Sequence, residues 1–385
     1  MKKILVVIGS RANYGTAKSI LKEIKQSKKC ELVLVVSSSA VLDRFGDVSK
    51  LIEADGFDID YKFFNLVEGN SLVTMPKSVG VTLIDLSNIF SQVNPDVVVT
   101  IGDRFETIAT AIAASYLNIP LAHVMGGEVS GTIDESVRHA VTKLAHIHFP
   151  ASKQSAERII KMGENPDLVF NFGCPRIDEV DQIINEKVDF EYINKQINSF
   201  GVGSEIDIKL PFIILSYHPV TSEFSSTESQ FEVILNEIET VGMQVIGLWP
   251  NADSGSEKIS RMLRIWHKEN NKHPLRLIKN LPTNLYFTLM NLTACQVGNS
   301  SSALREGSFI GTPAVNIGSR QNGREASENT IFVEHHGEEI RQSINFQLKH
   351  GKYQKSDLFG IGKAGKNIVR VLEETHIVTQ KKIFY

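Results

Sequence analysis

Short apolar runs rich in β-branched residues recur along the chain, and longer stretches with helical spacing separate them. Apolar runs of this length that do not alternate with polar residues are typical of strands buried on both faces of a parallel sheet. The runs are Ile4–Ile8, Leu32–Val36, Val97–Ile101, Leu121–Val124, Phe212–Leu215, Gln244–Leu248 and Pro313–Ile317. The pattern predicts the α/β class, with right-handed crossover connections.

The rhythm of apolar runs stops between about Asp178 and Lys209, where the chain is polar and charged, and it resumes at Phe212. We therefore predict a domain boundary here. Residues 1–178 and 179–365 are predicted to form two Rossmann-like, doubly wound domains that face each other across a cleft. Residues 366–385 are predicted to form a helix and tail that return to the N-terminal domain.

Composition narrows the functional classes. The formal net charge of −3 over 385 residues predicts no nucleic-acid partner and no attraction to anionic membranes. The three cysteines are far apart in the sequence and form no CxxC pair, which predicts neither a zinc site nor a disulfide framework. No run approaches the roughly 20 apolar residues that span a bilayer. These features favour a cytoplasmic protein that has no membrane-spanning segment and binds no metal.

Ligands of doubly wound sheets bind beyond the carboxyl ends of the strands, so the loops after the strands are the candidate sites. The loop Gly9–Gly15 precedes a predicted helix, and Arg11 offers a fork of donors for phosphate. An ordinary turn with a surface arginine explains the same residues equally well. Asp103 and Arg104 follow the third run; they are candidate site residues, or alternatively a helix cap with an exposed ion pair.

The segment His123–His139 is the densest in chemistry. Its glycines allow the backbone to approach a ligand closely, and a helix is predicted to begin near Asp134. Carboxylates, an arginine and a histidine within one segment suit proton transfer, and the candidates are Glu128, Asp134, Arg138 and His139. The alternative is a helix start whose acids match the helix dipole.

The C-terminal half has four comparable loops. His218 follows the strand Phe212–Leu215, and Asn251 lies in the turn after Gln244–Leu248. Ser300, Ser301 and Ser302 follow a strand near Cys295 and could form a diphosphate cradle, with Glu306 one turn later as an acceptor for ribose hydroxyls. A serine N-cap with a later acid, the capping box, is the alternative. Arg320 lies in the last loop, Gly318–Glu325.

In this order, five motifs resemble the hydrolysing UDP-N-acetylglucosamine 2-epimerases: Gly102-Asp103-Arg104, Gly126-Gly127-Glu128, His218-Pro219, Gly298-Asn299-Ser300-Ser301 and Gly318-Ser319-Arg320-Gln321. The segments Gly127–Asp134, Arg138–Ala140 and Lys143–His146 are similar to the sialic-acid branch, which includes the epimerase half of the animal bifunctional epimerase/kinase. The resemblance extends from Ile4 to about Gln380. Each motif alone is weak, but the set is specific.

The resemblance implies a GT-B type fold with the nucleotide mostly on the second domain, no cofactor, and a homodimer or homotetramer. It implies anti elimination of UDP from UDP-N-acetylglucosamine and then hydration of a 2-acetamidoglucal to N-acetylmannosamine. Asp103, Glu128 and Asp134 are the candidates for proton transfer, and their order stays open. The positive groups Arg11, His218 and Arg320, with the Ser300–Ser302 turn, are expected to stabilise the departing diphosphate. The resemblance also implies that Glu306 is the residue that binds the ribose.

Three positions depart from the family pattern: Asn13 replaces an acid, Ala40 a histidine, and Met125 a glutamate. They cluster on the sugar side and leave the UDP side intact. An alternative substrate for the same reaction is therefore a nucleotide-linked 2,4-diacetamido-2,4,6-trideoxyhexose, as in a legionaminic-acid-like pathway. A less polar pocket would suit this 6-deoxy sugar. A GT-B glycosyltransferase and an inactive UDP-sugar binder are the further alternatives.

Overall fold

The computed structural model describes residues 1–43, 46–67, 73–130, 133–250, 256–269, 274–279 and 281–384. The chain forms two compact units. Unit 1 comprises Met1–Glu179 and Phe359–Tyr385, and unit 2 comprises Val180–Leu358. The tail thus joins unit 1 at Phe359, earlier than the predicted residue 366.

Two glycines explain the earlier return of the tail. Cys174 N donates to the carbonyl oxygen of Phe359 at 2.7 Å. A Cβ atom on Gly173 would lie 2.3 Å from the Cα of Gly360, so only glycine allows the two backbones to approach this closely. The contact precedes the C-terminal helix and therefore moves the boundary towards the N-terminus.

Unit 1 alternates strands and helices. Its strands are β1 (Lys2–Ile8), β2 (Cys30–Val36), β3 (Tyr61–Lys62), β4 (Val97–Ile101), β5 (Leu121–Val124) and β6 (Ile147–Phe149). Its helices are α1 (Arg11–Gln26), α2 (Val48–Ala54), α3 (Thr74–Val93), α4 (Phe105–Tyr116), α5 (Ile133–Leu144), α6 (Lys153–Lys161) and the first residues of α7 (Arg176–Ile184), which crosses into unit 2. The C-terminal helix, numbered α15 (Ala364–Glu374), packs on α1.

The strands of unit 1 form a parallel sheet in the order β3-β2-β1-β4-β5-β6. Ile4 to Ile8 are all buried, as expected for a strand covered by helices on both faces. Each such side chain contributes about 1.5–3 kcal/mol by leaving water. The chain winds outward in opposite directions from β1 and β4, so the crevice at their carboxyl ends is the expected ligand site.

Unit 2 repeats this design. Its strands are β7 (Val202–Gly203), β8 (Phe212–Ser216), β9 (Gln244–Leu248), β10 (Leu275–Ile278), β11 (Cys295–Gly298), β12 (Ala314–Ile317) and β13 (Thr330–Val333). Its helices are α8 (Phe190–Ser199), α9 (Thr227–Val241), α10 (Ser256–Glu269), α11 (Thr283–Leu292), α12 (Ser301–Leu304), α13 (Glu306–Ile310) and α14 (Gly337–His350). The sheet order is β13-β12-β11-β8-β9-β10-β7, parallel except for β7. The direction of winding reverses between β8 and β11.

All seven predicted runs are strands, with ends that differ by at most two residues. The predicted α/β class with two Rossmann-like units is therefore confirmed, while the cleft between them stays a prediction. Strand β10 escaped prediction because Arg276 interrupts its apolar pattern. This buried guanidinium donates to the carbonyl oxygens of Phe200 and Gly203, and these hydrogen bonds offset the cost of burying its charge. No helix in the described part of the chain has the length and apolar character to cross a membrane.

Candidate active site

The side chain of Asn13 bridges the carboxyl ends of β1 and β4, where the crevice lies. Its Oδ1 accepts from Gly9 N at 3.3 Å, and its Nδ2 donates to the carbonyl oxygen of Ile101 at 3.1 Å. An ionised carboxylate at this position could not donate to Ile101. Asn13 is thus built into the fold of the first loop, which accounts for the absence of an acid here.

Arg138, from α5, connects two of the predicted carboxylate residues. Its Nη2 donates to Asp103 Oδ2, and its Nη1 donates to the backbone carbonyl oxygen of Glu128 at 2.9 Å. Arg138 is 5 % exposed and Glu128 9 % exposed, so the guanidinium and the carboxylate side chain lie away from bulk solvent. The guanidinium therefore places a fixed positive charge against the Asp103 carboxylate and the Glu128 backbone.

His123, in the middle of β5, fixes the backbone that leads to Asp103. Its Nε2 donates to the carbonyl oxygen of Gly102 at 2.8 Å, because a carbonyl oxygen can only accept. Burial lowers the pKa of His123 to about 3. The ring is therefore neutral at pH 7, and its Nδ1 accepts from the Thr142 hydroxyl at 3.1 Å.

The other predicted residues of unit 1 lie nearer the surface. Arg104 is exposed, and its Nε contacts Glu106 Oε1 at 3.1 Å. Asp134 is exposed at the second position of α5. His139 Nε2 lies 3.7 Å from Glu135 Oε1.

Arg11 begins α1, as the sequence predicted for a phosphate ligand at a helix start. Its side chain is exposed, and a Cβ atom on Gly46 would lie 3.0 Å from its Nη2. The guanidinium therefore packs over Gly46. Its predicted role in catalysis stays a prediction.

In unit 2, Asn299 brings His218 and Arg320 together. Asn299 Oδ1 accepts from His218 N at 2.7 Å, and its Nδ2 donates to the carbonyl oxygen of His218 at 2.8 Å. The backbone oxygen of Asn299 accepts from Arg320 Nη1 at 3.2 Å. Both predicted residues therefore lie at the carboxyl ends of β8 and β11.

Burial, and then the charge of Arg320, lower the pKa of His218 to about 3. His218 is therefore neutral at pH 7, and its predicted role beside the departing diphosphate stays a prediction. A neutral imidazole still offers one N–H donor to a phosphate oxygen.

The three serines predicted to cradle phosphate have different surroundings. Ser302 Oγ lies 2.6 Å from Tyr286 OH, 2.9 Å from Ser300 Oγ and 3.2 Å from Gln296 Nε2. A hydroxyl can make about three hydrogen bonds, so protein partners already use the full hydrogen-bonding capacity of the Ser302 hydroxyl. Ser300 caps α12, and Ser301 is its first residue. Ser300 and Ser301 are thus the better placed to bind a ligand.

Glu306, predicted to hold the ribose, begins α13 and is 6 % exposed. Asn251 lies outside the described residues. Ala40 is completely buried, and its N donates to the carbonyl oxygen of Gly9 at 3.2 Å. Met125 is 8 % exposed, with its Sδ 3.9 Å from Cys174 Sγ, so an apolar contact occupies the position of the family's glutamate.

The sequence did not single out Tyr286 and Gln296, and it placed Asn13, His123 and Asn299 in motifs without predicting the hydrogen bonds by which they build the site. One signal was available for His123 and Gln296, since each is a polar residue inside a buried strand. Within the described residues, no group of three or more His, Cys, Asp and Glu side chains is placed to hold a metal ion.

Comparisons with known proteins agree with this architecture. A family model described as UDP-N-acetylglucosamine 2-epimerase matches residues 22–373. The chain is 34 % identical to UDP-N,N'-diacetylbacillosamine 2-epimerase (hydrolyzing) of Legionella pneumophila, over 99 % of this chain and 98 % of the relative. It is 30 % identical to GDP/UDP-N,N'-diacetylbacillosamine 2-epimerase (hydrolyzing) of Campylobacter jejuni, over 86 % and 84 %.

Among solved structures, the chain is similar to the UDP-GlcNAc 2-epimerase of Neisseria meningitidis bound to UDP-GlcNAc. The TM-score is 0.80 at 17 % identity, over 97 % of this chain and all of the other. This likeness confirms the predicted GT-B type fold.

Proposed function

The chain belongs to the UDP-N-acetylglucosamine 2-epimerase family, and from this we propose that it catalyses the hydrolysing reaction on a UDP-linked 2-acetamido sugar. The single observation that carries the proposal is the buried guanidinium of Arg138, which contacts the carboxylate of Asp103 and the backbone of Glu128. This arrangement places the Asp103 carboxylate against a fixed positive charge and ties the backbone of Glu128 to the same guanidinium.

In the first step, a carboxylate removes the proton from C2 of the sugar, while the bond between C1 and the phosphate oxygen breaks. The C–H electrons form the C1=C2 double bond of a 2-acetamidoglucal, and UDP leaves with the electrons of the C–O bond. Positive character at C1 acidifies the hydrogen at C2. Asp103, Glu128 and Asp134 are the candidates for the base, as predicted from the sequence.

In the second step, water adds across the double bond. Its hydroxyl joins C1 and its remaining proton goes to a carboxylate, while a protonated carboxyl donates a proton to C2 on the face opposite to the one first deprotonated. The products are UDP and the free sugar with inverted configuration at C2. The overall balance is one water consumed for each UDP released, and no redox step or cofactor is needed.

We assign stabilisation of the departing diphosphate to unit 2. Arg320 supplies a fixed charge, Ser300 a hydroxyl, and neutral His218 an N–H donor. Glu306 is proposed to accept from the ribose hydroxyls. The Neisseria structure bound to UDP-GlcNAc supports a nucleotide-sugar substrate for this chain. The oligomeric state and the cytoplasmic location predicted from the sequence remain proposals.

The test is incubation with the UDP-sugar in deuterated water, followed by proton NMR. We expect free sugar that carries deuterium at C2, together with UDP in equal amount. A UDP-linked epimer without release of UDP would indicate the non-hydrolysing reaction. Turnover only with an added acceptor would indicate a glycosyltransferase, and tight UDP binding without turnover of any candidate would indicate an inactive binder.

Two sugars are candidates. UDP-N-acetylglucosamine is the substrate predicted from the sequence. UDP-N,N'-diacetylbacillosamine, a 2,4-diacetamido-2,4,6-trideoxy sugar, is favoured by the names of the relatives at 34 % and 30 % identity. The buried apolar contact of Met125 with Cys174 points in the same direction. We expect the trideoxy sugar to have the higher kcat/KM, and faster turnover of the 6-hydroxy sugar would reverse this assignment.

A further inference from the structure

The two peptide groups that flank Glu128 are each held by a guanidinium from a different helix. Arg138 of α5 donates to the carbonyl oxygen of Glu128 at 2.9 Å. Arg158 of α6 donates through its Nη1 to the carbonyl oxygen of Gly127. One of these peptide groups sets φ of Glu128 and the other sets ψ, so together the two arginines fix the direction of its Cα–Cβ bond, from which the carboxylate extends.

The loop needs such fixing because its backbone is unusual. Gly127 has φ of +76°, and the preceding Met125 has φ of +64°, which is rare for a residue with a side chain. A Cβ atom on Gly127 would lie 2.4 Å from the carbonyl oxygen of Ser155 in α6. Gly127 therefore permits the loop to press directly on α6, but glycine alone does not hold it there.

Helix α6 is a rigid support for Arg158. The Ser152 side chain caps its start by accepting from Ser155 N at 3.2 Å. The Oγ atoms of the two serines are 2.9 Å apart, and both residues are completely buried. Ile159, which follows Arg158, is also completely buried. The guanidinium thus projects from an element whose own position is set by packing.

We propose that Arg158 is a positioning residue for Glu128 in the reaction assigned above, and this inference rests on the proposed function. Arg158 contacts the loop backbone rather than the carboxylate, so it acts on where the carboxylate lies. Displacing a catalytic group by about 1 Å can cost about 100-fold in rate. Loss of Arg158 should therefore lower kcat and leave nucleotide binding, which is assigned to unit 2, unchanged.

The experiment compares Arg158→Met and Arg158→Lys with the wild type. The matched control is Lys161→Met, which removes one positive charge from an exposed position of the same helix. We expect Arg158→Met to lower kcat by about 10- to 100-fold with KM and UDP affinity within twofold. Arg158→Lys should recover most of the rate, because one donor suffices for one carbonyl oxygen. The control should retain the wild-type rate.

A second measurement separates this proposal from the proposed function. Amide hydrogen exchange of residues 126–130 should be faster in Arg158→Met than in Lys161→Met, whichever substrate the enzyme uses. Equal exchange in the two variants, or a kcat of Arg158→Met within twofold of the wild type, would overturn the role of Arg158. A wild-type protein that releases no deuterated sugar would instead refute the proposed function, and the exchange result would still decide whether Arg158 fixes the loop.

Discussion

In each sheet, a single asparagine bonds backbone groups at the point where the direction of winding reverses. Asn13 joins the loop after β1 to the end of β4, and Asn299 joins the loop after β8 to the end of β11. An amide offers a donor and an acceptor on one rigid group. The Asn13 side chain bonds Gly9 and Ile101, at the ends of two strands, whereas the Asn299 side chain bonds both backbone groups of His218.

We predict that Asn299→Asp weakens UDP binding by at least tenfold. The aspartate cannot donate to the carbonyl oxygen of His218, and the two oxygens would repel each other. An unsatisfied buried polar group costs about 1–3 kcal/mol, and the loop that carries His218 would move to avoid it. Isothermal titration calorimetry with UDP measures the effect.

The control for this prediction is Asn322→Asp, which adds the same charge at an exposed position beyond Arg320. This variant should bind UDP about as tightly as the wild type. If both variants lost affinity equally, the cause would be the added charge and not the lost hydrogen bond.

The residue types of the site could be read from the sequence, but their partners could not. Asp103 and Glu128 stood out because they follow apolar runs. That one arginine joins them depends on α5 packing beside α4 and β5, since Arg138 lies 35 positions from Asp103. Arg158 offered no local signal, because an arginine in the last turn of a helix is ordinary at the sequence level.

The serine turn after β11 depends on the elements behind it. Tyr286 comes from α11 and Gln296 from β11, and both contact Ser302. Gln296 Nε2 donates to Ser302 and to Tyr286 OH. The hydroxyls of Tyr286 and Ser302 share a hydrogen bond, and so do the hydroxyls of Ser302 and Ser300. The orientation of the turn is thus set by a strand and a helix together.

Tyr286→Phe tests this network of hydrogen bonds. Without the phenol hydroxyl, Ser302 loses one of its three partners, so the Ser300 hydroxyl that is bonded to Ser302 is held less firmly in place for phosphate. We expect UDP affinity to fall by about 5- to 10-fold, as for the loss of one hydrogen bond of about 1–1.5 kcal/mol. The affinity for uridine, which has no phosphate, should not change. Equal losses for UDP and uridine would indicate a general distortion of unit 2.

At the level of elements, the strands at the centre of each sheet were predictable and those at the edges were not. β1, β4, β8 and β9 are continuous apolar runs because helices cover both of their faces. The edge strands β3 and β7 have two residues each, which is too short for any period to be detected. These short strands form only by pairing with strands that are distant in sequence. For example, β7 pairs with β10.

The whole molecule is a repeat of one architecture with a discontinuous first unit. Both chain ends belong to unit 1, where α15 packs on α1 and the segment after α15 binds beside α5. Lys381 Nζ donates to Glu164 Oε2 at 2.6 Å, and Glu164 also accepts from Lys143 at 2.6 Å and contacts His148 at 3.0 Å. These contacts, with burial opposing them, lower the pKa of Glu164 to about 2. The tail is therefore held by a charged cluster that stays ionised down to low pH.

Each unit also buries a neutral histidine near the point where the winding of its sheet reverses. Because such a histidine is protonated more readily in the unfolded chain, it couples stability to pH. Burial is the main cause of the low pKa of His123 and of His218, both about 3. An unfolded histidine titrates near 6.5, so between pH 6.5 and 3 the unfolded chain binds the extra proton and the folded chain does not. Stability is therefore complete above pH 6.5 and falls as the pH drops below it.

For His218 the predicted loss is about 2 kcal/mol between pH 7.5 and pH 5.0. Urea unfolding followed by tryptophan fluorescence isolates this contribution, because both tryptophans, Trp249 and Trp266, lie in unit 2. His218→Gln removes the titrating group, so its unfolding free energy should fall by about 2 kcal/mol less over this range than that of the wild type. His336→Gln, at an exposed histidine of the same unit, should keep the wild-type pH dependence. If His218→Gln and the wild type lost stability in parallel, the pH dependence of unit 2 would have to arise from groups other than His218.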